Sequence, residues 1–345
     1  MSEQKALLLE HEFGDFIVGN RPIPQPGPGE LLVKVQAAGL NPVDWKIQKT
    51  GAFIKAYPAV LGSDVAGDIE ELGEGVNAEK WPKGTRVFFQ GWYDPDRAAF
   101  QQYALTPADL VCRIPPNLSY SDAASIPVAF NCAAYGLLSP PPTGSGLNPS
   151  LDKDVKYTEQ SALVIGGNTS VGQYAIQILS KVLHFATIVA YASNSQSSAL
   201  ESLGATHIID RYQISLTELP NAFLEITSNT RPSIVFDAFG APEGQEAGYA
   251  LLAEDGTLCT VNPEKVENKV EGKRAFAVIG SVHLPTHRDF GVKLMEELER
   301  LVSEGIIVPN RVQDLPNGLA GIVDGLERLK DNKTDGCKLI AHPQD

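Results

Sequence analysis

Between residues 162 and 280 the chain repeats one pattern six times. A short run of apolar residues is followed by a polar or helix-forming stretch. The runs cover residues 162–165, 187–192, 207–209, 234–238, 258–261 and 275–280. Between them, residues 171–183 and 196–203 carry the clearest helical spacing. A strand covered on one face alternates apolar and polar residues, and these runs do not. Strands that are apolar throughout belong to a parallel sheet with helices on both faces. Six of them match a doubly wound nucleotide-binding fold.

The turn after the first run reads Ile165-Gly166-Gly167-Asn168-Thr169-Ser170-Val171-Gly172. Glycine lets the backbone approach a pyrophosphate, and the amides at the helix start then bind it. The spacing departs from G-x-G-x-x-G, because Thr169 or Ser170 stands where the middle glycine would be. Those hydroxyls are themselves candidate phosphate contacts. A glycine cluster alone could be a bare turn; its place between strand and helix makes Gly166, Gly167, Thr169, Ser170, Val171 and Gly172 cofactor candidates. The second run ends at Ala192-Ser193-Asn194-Ser195. NAD binders place a carboxylate there for the ribose hydroxyls. Here the first acid is Glu201, within the following helix. The gap leaves room for a 2′-phosphate, with Ser193 and Asn194 as hydrogen-bond donors and Arg211 and Tyr212 as further contacts. The expected cofactor is therefore NADP(H).

The rest of the chain differs in texture. Runs 31–37, 65–72, 85–89 and 101–105 are separated by turns such as Pro26-Gly27-Pro28-Gly29 and Gly73-Glu74-Gly75, which predicts an irregular, mostly antiparallel β domain. In the tail, Phe290, Leu294, Leu298 and Leu301 mark a helix over 288–304, a second helix follows at 319–329, and 338–341 reads as a last strand. Residues 139–160, rich in Pro, Gly, Ser and Asp, cannot form a regular element. They are either a tolerated surface insertion or a loop that shapes a substrate or docks a partner.

Composition narrows the function classes. A net charge of −14 repels a phosphate backbone and an anionic membrane, so neither nucleic acid nor membrane is an expected partner. No apolar stretch approaches the ~18 residues of a membrane span, and the N-terminus has charges where a signal peptide has its apolar core. The four cysteines, Cys112, Cys132, Cys259 and Cys337, are at least 20 positions apart. That excludes a zinc ribbon or CxxC pair and suits a reducing compartment. The expected location is the cytoplasm.

Five stretches together resemble the medium-chain dehydrogenase/reductase superfamily: AAGLNPVDWKIQ (37–48), YPAVLGSDVAGDIEELGEGV (57–76), residues 99–138, LVIGGNTSVGQYAIQ (163–177) and DGCKLI (335–340). Within it the chain is similar to the zinc-free quinone-reductase-like and fungal trans-acting enoyl-reductase-like branch. The resemblance covers nearly the whole chain and is specific for the family, though not for a substrate. It implies an α/β fold class, with a Rossmann nucleotide-binding domain (128–283) set into a GroES-like, mostly β substrate domain (1–127), to which the segment 284–345 returns. In zinc-dependent relatives a Cys stands at the position of Asn41, and a His follows the glycine matching Gly62, where this chain has Ser63. No metal site is expected. His283 and His287 are four apart but separated by Pro285, and read as loop residues.

Without a metal, hydrogen-bond donors must polarise the substrate oxygen. The resemblance implies that residues 41–46 line the nicotinamide site, which makes Asn41, Pro42, Trp45 and Lys46 cofactor candidates. Lys46 is also a catalytic candidate for stabilising an enolate, against the alternative of an ordinary solvated lysine. Asp44 either positions that lysine or caps a helix. Cys132 stands where related enoyl reductases have a hydroxyl residue; a thiol is the weaker donor, and the alternative is a small buried helix residue. Some relatives take the proton from a tyrosine in the region matching Phe53, which cannot donate, so Tyr57 is the substitute candidate. Val261, Asn262, Val282, His283, Asp335 and Lys338 complete the implied cofactor set.

The expected reaction is hydride transfer from NADPH to the β-carbon of an enone, quinone or enoyl thioester. Alternatives are a trans-acting enoyl reductase on a carrier-bound polyketide, a zinc-free alcohol or carbonyl dehydrogenase, and a non-catalytic NADPH-binding protein. A small-molecule substrate is the expected partner. An acyl carrier domain, typically acidic, would need a basic patch, for which Lys153, Lys156 and Lys181 are few. Family resemblance implies a monomer or homodimer.

Overall fold

The computed structural model describes residues 2–345. Two compact units result. Unit one comprises the chain up to Val128 together with Val282–Ser303 and Val308–Asp345, and unit two comprises Ala129–Ser281 with Glu304–Ile307.

Unit one opens with strands β1 (Glu3–Leu9), β2 (Phe16–Pro22), β3 (Glu30–Gly39), β4 (Ala59–Val60), β5 (Asp64–Leu72), β6 (Arg86–Gln90), β7 (Tyr103–Pro107) and β8 (Val111–Arg113). Helices α1 (Pro42–Thr50) and α2 (Tyr120–Ala123) interrupt them. β1 lies between β2 and β4 in a small antiparallel sheet. β3 is the spine of the larger one. It pairs antiparallel with β5, with β7, and with β16 (Lys338–Ala341) from the far end of the chain. β15 (Val312–Asp314) extends that edge, parallel to β16. Bulges after Leu32 and Val35 in β3 bend the sheet. Its inward residues, among them Leu31, Val33, Val35, Val65, Ile69, Val87, Phe89 and Leu339, form one core.

The N-terminus of α1 is set by local chemistry. Asn41 is extended at the N-cap, Pro42 occupies the first helical position, and the Asp44 Oδ2 accepts a hydrogen bond from Asn41 N at 2.8 Å. Gly51, at φ +68, ends the helix with its N–H on the Ile47 carbonyl.

Unit two is the expected parallel sheet. Its strands are β9 (Ser161–Ile165), β10 (Thr187–Ala192), β11 (His207–Asp210), β12 (Ile234–Asp237), β13 (Thr257–Thr260) and β14 (Arg274–Ala277). The order is β11-β10-β9-β12-β13-β14, every pair parallel. The chain winds outward from β9 to β11, then crosses back to β12. The strand order therefore reverses between β9 and β12, where such sheets bind ligands. Its helices are α3 (Pro127–Leu138, which begins at the last residues of unit one), α4 (Ser170–Gln177), α5 (Ser197–Leu203), α6 (Leu219–Ile226) and α7 (Pro242–Leu251). The helix expected over 171–183 changes pitch halfway: Ile178–Val182 is a π turn, with Leu183 N reaching back five residues to the Ile178 carbonyl.

Residues 139–160 form neither helix nor strand, as expected. Their own contacts hold them in place. The Tyr157 hydroxyl donates to the Leu147 carbonyl at 2.6 Å, and its ring stacks on Phe185 at 5.1 Å. Asn148 brackets Asp152 with one donated and one accepted bond. In the tail, α8 (Arg288–Ser303) and α9 (Gly321–Lys330) bury Leu294, Leu298, Leu301, Ile322 and Leu326. Among the described residues no helix is long and apolar enough to cross a membrane.

Candidate functional site

In unit two the candidate residues gather at the C-terminal ends of the strands. Gly166 leaves β9 at φ +75, in the left-handed region that favours glycine. A Cβ on Gly172 would meet the Gly166 carbonyl at 2.3 Å, so only hydrogen fits where helix and turn touch. The Thr169 Oγ1 accepts from Gly172 N at 3.0 Å and caps α4; one lone pair of this hydroxyl is therefore committed to the helix. The turn is a glycine-lined cradle on a capped helix N-terminus, and it fits a pyrophosphate.

Beyond β10, Asp210 ties two loops together. Its Oδ1 accepts from Tyr212 N at 3.1 Å and from Asn194 N at 3.4 Å. Ser193 shares a hydrogen bond with Ser195 at 2.9 Å. The Arg211 guanidinium lies 4.5 Å over the Tyr212 ring and donates to its hydroxyl. Ser193, Asn194, Arg211 and Tyr212 thus lie along two adjacent strand ends, with Arg211 supplying the one cation. Asp210 escaped the sequence reading, although an acid closing an apolar strand was its signal.

After β12, Asp237 plays the same part. Its Oδ1 accepts from Gly240 N at 2.8 Å and Phe239 N at 3.1 Å, and the Thr260 hydroxyl donates to Oδ2. Burial pushes its carboxyl above the ordinary range, against those bonds. Val261 N donates to the Asp237 carbonyl, and the Asn262 amide donates to the carbonyls of Phe239 and Gly240. Cys132, on α3, is partly buried. A Cβ on Gly280 would come within 2.4 Å of the Cys132 Cα, so the loop after β14 presses directly on this helix.

In unit one the centre is a residue the sequence reading did not single out. Asp64 is fully buried at the start of β5. Its Oδ2 accepts from Asn41 Nδ2 and from Lys338 Nζ, each at 2.7 Å, and its Oδ1 accepts from Val128 N at 2.7 Å. The Lys338 ammonium also donates to Asn41 Oδ1 at 2.6 Å. Both ends of the Asn41 amide and the tip of Lys338 are therefore satisfied within the protein. Asp44 is buried beside them. Of the two roles open to it, the cap is the one observed, and the charges acting on it are Lys338 and Asp64 rather than Lys46. Desolvation dominates there and pushes its carboxyl up to about 7.

The remaining unit-one candidates are spread around this cluster. Pro42 is exposed at the start of α1. Lys46 is partly buried, its Nζ 5.9 Å from the Trp45 ring centre. Tyr57 is partly buried, and its hydroxyl is held above its ordinary value, first by desolvation and then by the Glu12 carboxylate; it is a neutral phenol. Val282 N donates to Gln90 Oε1, and the His283 Nε2 lies 2.6 Å from the Gln90 carbonyl. Burial holds that imidazole down at about 4, so it is neutral and Nε2–H is the donor. Asp335 is an exposed turn residue at φ +48, distinct from the buried Lys338 three positions on.

Two family models match the chain: an alcohol dehydrogenase GroES-like domain over residues 27–116 and a zinc-binding dehydrogenase over 170–285. A trans-enoyl reductase of Aspergillus terreus is 36% identical over 219 residues, 61% of this chain and 69% of that protein. The chain belongs to the medium-chain dehydrogenase/reductase superfamily, within its quinone-oxidoreductase-like and fungal enoyl-reductase-like part. A zinc-type alcohol dehydrogenase-like protein of Schizosaccharomyces pombe is 28% identical over 363 residues, covering 97% of this chain and 99% of that one. A mycobacterial protein solved in complex with NADPH superposes with a TM-score of 0.79 at 24% identity, covering 98% and 100% of the two chains. This member of the superfamily is an oxidoreductase that uses a nicotinamide cofactor. The zinc of the second family model finds a poor fit here. Asn41 and Ser63 stand at the matching positions, and a lysine ammonium already occupies the space between Asn41 Oδ1 and Asp64 Oδ2. Among the described residues no group of three His, Cys, Asp or Glu could hold a metal ion.

Proposed function

We propose that this chain is a zinc-independent, NADPH-dependent reductase of activated carbon–carbon double bonds. The observation that carries the reading is the buried Asn41–Asp64–Lys338 triad. An ammonium is already held between Asn41 Oδ1 and Asp64 Oδ2, beside the position where zinc-dependent relatives have a cysteine, and a divalent ion sharing those oxygens would meet strong repulsion. Alcohol oxidation needs help in removing a hydroxyl proton, which zinc supplies. Conjugate reduction needs only a donor for the enolate oxygen and a proton for the α-carbon, and hydrogen-bonding side chains suffice.

NADPH, when bound, supplies the hydride. The turn from Gly166 to Gly172 and the α4 amides would hold its pyrophosphate. Ser193, Asn194, Arg211 and Tyr212 would hold its 2′-phosphate; the cation of Arg211 and the missing carboxylate after Ala192 support NADPH over NADH. Val261, Asn262, Val282, His283 and Asp335 remain as contacts for the rest of the cofactor. In this reading Asn41 and Lys338 act by fixing the start of α1, since their polar groups are already spent on each other and on Asp64. Lys46, on that helix, stabilises the enolate oxygen. Tyr57, neutral at pH 7, is the side-chain proton donor, and Cys132 is a small, partly buried residue of α3.

The similarity to a trans-enoyl reductase favours a second reading, in which the substrate arrives on an acyl carrier domain. The exposed lysines of the 139–160 loop argue for a free small molecule instead: Lys153 and Lys156 lie among Asp152, Asp154 and Glu159, which cancel any basic patch. The test is loss of NADPH absorbance with enones, quinones and enoyl thioesters, using protein dialysed against a chelator. Turnover of a free enone supports the reading. Turnover only of carrier-bound thioesters supports the second, and tight NADPH binding with no turnover would leave a binding protein.

A further inference from the structure

Unit one contains a cavity far from its buried Asn41–Asp64–Lys338 cluster. Its volume is about 730 Å³, the size of a small-metabolite site. Glu30 at the start of β3, Lys80 and Trp81 from the β5–β6 loop, Arg97, Asp109 after β7 and Arg288 at the start of α8 carry its polar wall. All belong to unit one. The strands fix its place. β3 begins at Glu30 and ends at Gly39, so at about 3.3 Å per residue the cavity is roughly 30 Å from the cluster. β5 spans the same length in reverse, with Asp64 opposite Gly39 and Leu72 opposite Leu31.

The charges on this wall do not cancel. Arg97 donates to Glu30 Oε1, and Glu30 Oε2 accepts from Gly27 N at 3.0 Å, so that pair is satisfied within the wall. Arg288 Nη2 donates to both Asp109 oxygens, at 2.7 and 2.9 Å. Its Nη1, covered by protein, has no acceptor. Lys80 makes no ion pair among the described residues. Its ammonium rests 5.4 Å from the centre of the Trp81 ring, which also carries the Arg113 guanidinium at 4.4 Å. Three cations against two carboxylates leave the wall at +1, on a chain whose net charge is −14. The walls also leave room. Gly29 and Gly75 line the cavity at φ +75 and +79, and a Cβ on either would meet nothing within 4 Å.

A guanidinium nitrogen without an acceptor is costly, and an unpaired ammonium beside it adds repulsion. A ligand that brings several anionic oxygens relieves both, through charge-assisted hydrogen bonds. We propose that this cavity is a second ligand site, separate from those for cofactor and substrate, and that it takes a small multivalent oxyanion: a di- or tricarboxylate or a phosphate monoester of metabolite size. Asp109 competes with that ligand for Arg288 and so limits its affinity.

The test uses the full chain with excess NADP⁺, so that the cofactor's own phosphate contacts are filled. Trp81 reports from the wall. Tryptophan fluorescence is followed as citrate, glycerol 3-phosphate or uncharged glycerol is added at constant ionic strength, and the urea midpoint is measured with each. The expected result is a saturable change with an anion and none with glycerol, together with a rise in the midpoint. Lys80→Gln and Arg288→Gln should each weaken binding about tenfold, and Arg211→Ala should leave it unchanged. Asp109→Asn breaks the same ion pair as Arg288→Gln but frees the guanidinium, so it should tighten binding. A pair with a purely structural role would give losses in both variants. Saturation by citrate alone, or by glycerol 3-phosphate alone, upholds the proposal and names the anion. No saturable change and no rise in the midpoint, losses in both Arg288→Gln and Asp109→Asn, or weakening by Arg211→Ala would overturn it.

Discussion

Replacing Asp44 by Asn should make unit one more stable at neutral pH and progressively less so as pH falls. The wild-type carboxyl is buried and rises from 3.8 to about 7 on folding, chiefly through desolvation. A raised folded value means that the native state holds a proton the unfolded chain releases. Stability from this group is complete below pH ~4 and is lost as pH rises through the folded value. At about 1.4 kcal/mol per pH unit the loss is of order 4 kcal/mol by pH 7–8. Asn keeps an oxygen that can accept from Asn41 N and carries no charge, so its stability lacks this dependence. His283 works in the opposite sense over an overlapping range. Its depressed value, about 4, makes stability fall as pH drops below about 6.5. The two largely mask each other in the wild type, so the informative quantity is the difference between wild type and Asp44→Asn. The chain's three tryptophans, Trp45, Trp81 and Trp92, all lie in unit one. Urea denaturation followed by tryptophan fluorescence therefore reports that unit alone. Between pH 4 and 8 the variant should gain on the wild type by several kcal/mol, with most of the gain between pH 4 and 7. A flat difference, or one of opposite sign, would mean that Asp44 is ionised when folded, and would refute the desolvation argument.

Lys338→Met leaves Asp64 buried without its cation and should cost 3–5 kcal/mol in the same fluorescence assay; adding Asp64→Asn should restore much of it. Gly172→Ala places a Cβ against the Gly166 carbonyl and should lower NADPH affinity at least tenfold in a fluorescence titration, while NADPH binding at wild-type strength would show that the turn can yield. Arg211→Ala should weaken NADPH by ten- to a hundredfold and leave NADH nearly unchanged; an equal loss for both would remove Arg211 from the 2′-phosphate. Lys46→Ala should reduce kcat by about a hundredfold with little change in NADPH affinity, and unchanged kinetics would exclude the lysine from the reaction.

Local patterns carried most of the fold. The apolar runs of unit two located all six strands, most plainly the central β9, β10, β12 and β13, which are buried along nearly their whole length; the edge strands β11 and β14 are partly exposed, and β14 spans only Arg274–Ala277 of the expected 275–280. The glycine turn was equally plain, since Gly166 and Gly172 answer to local sterics. The unit-one cluster was not legible in the same way. Asp64 and Lys338 are 274 positions apart, and only the antiparallel pairing of both β5 and β16 with β3 brings them together. Lys338 read as a cofactor residue, yet its ammonium has protein partners that no spacing could reveal. Asp44 left two roles open in the sequence, and the burial of its carboxyl at the helix start decided between them.

Reduction of the double bond without a metal can be observed by following the hydride. Chelator-treated protein would be given deuterium-labelled NADPH and 4-phenylbut-3-en-2-one, and the product examined by NMR. The expected product is the saturated ketone with deuterium on the β-carbon, formed at a rate that added zinc does not raise. An allylic alcohol with deuterium on the carbinol carbon, or activity that appears only with zinc, would contradict it.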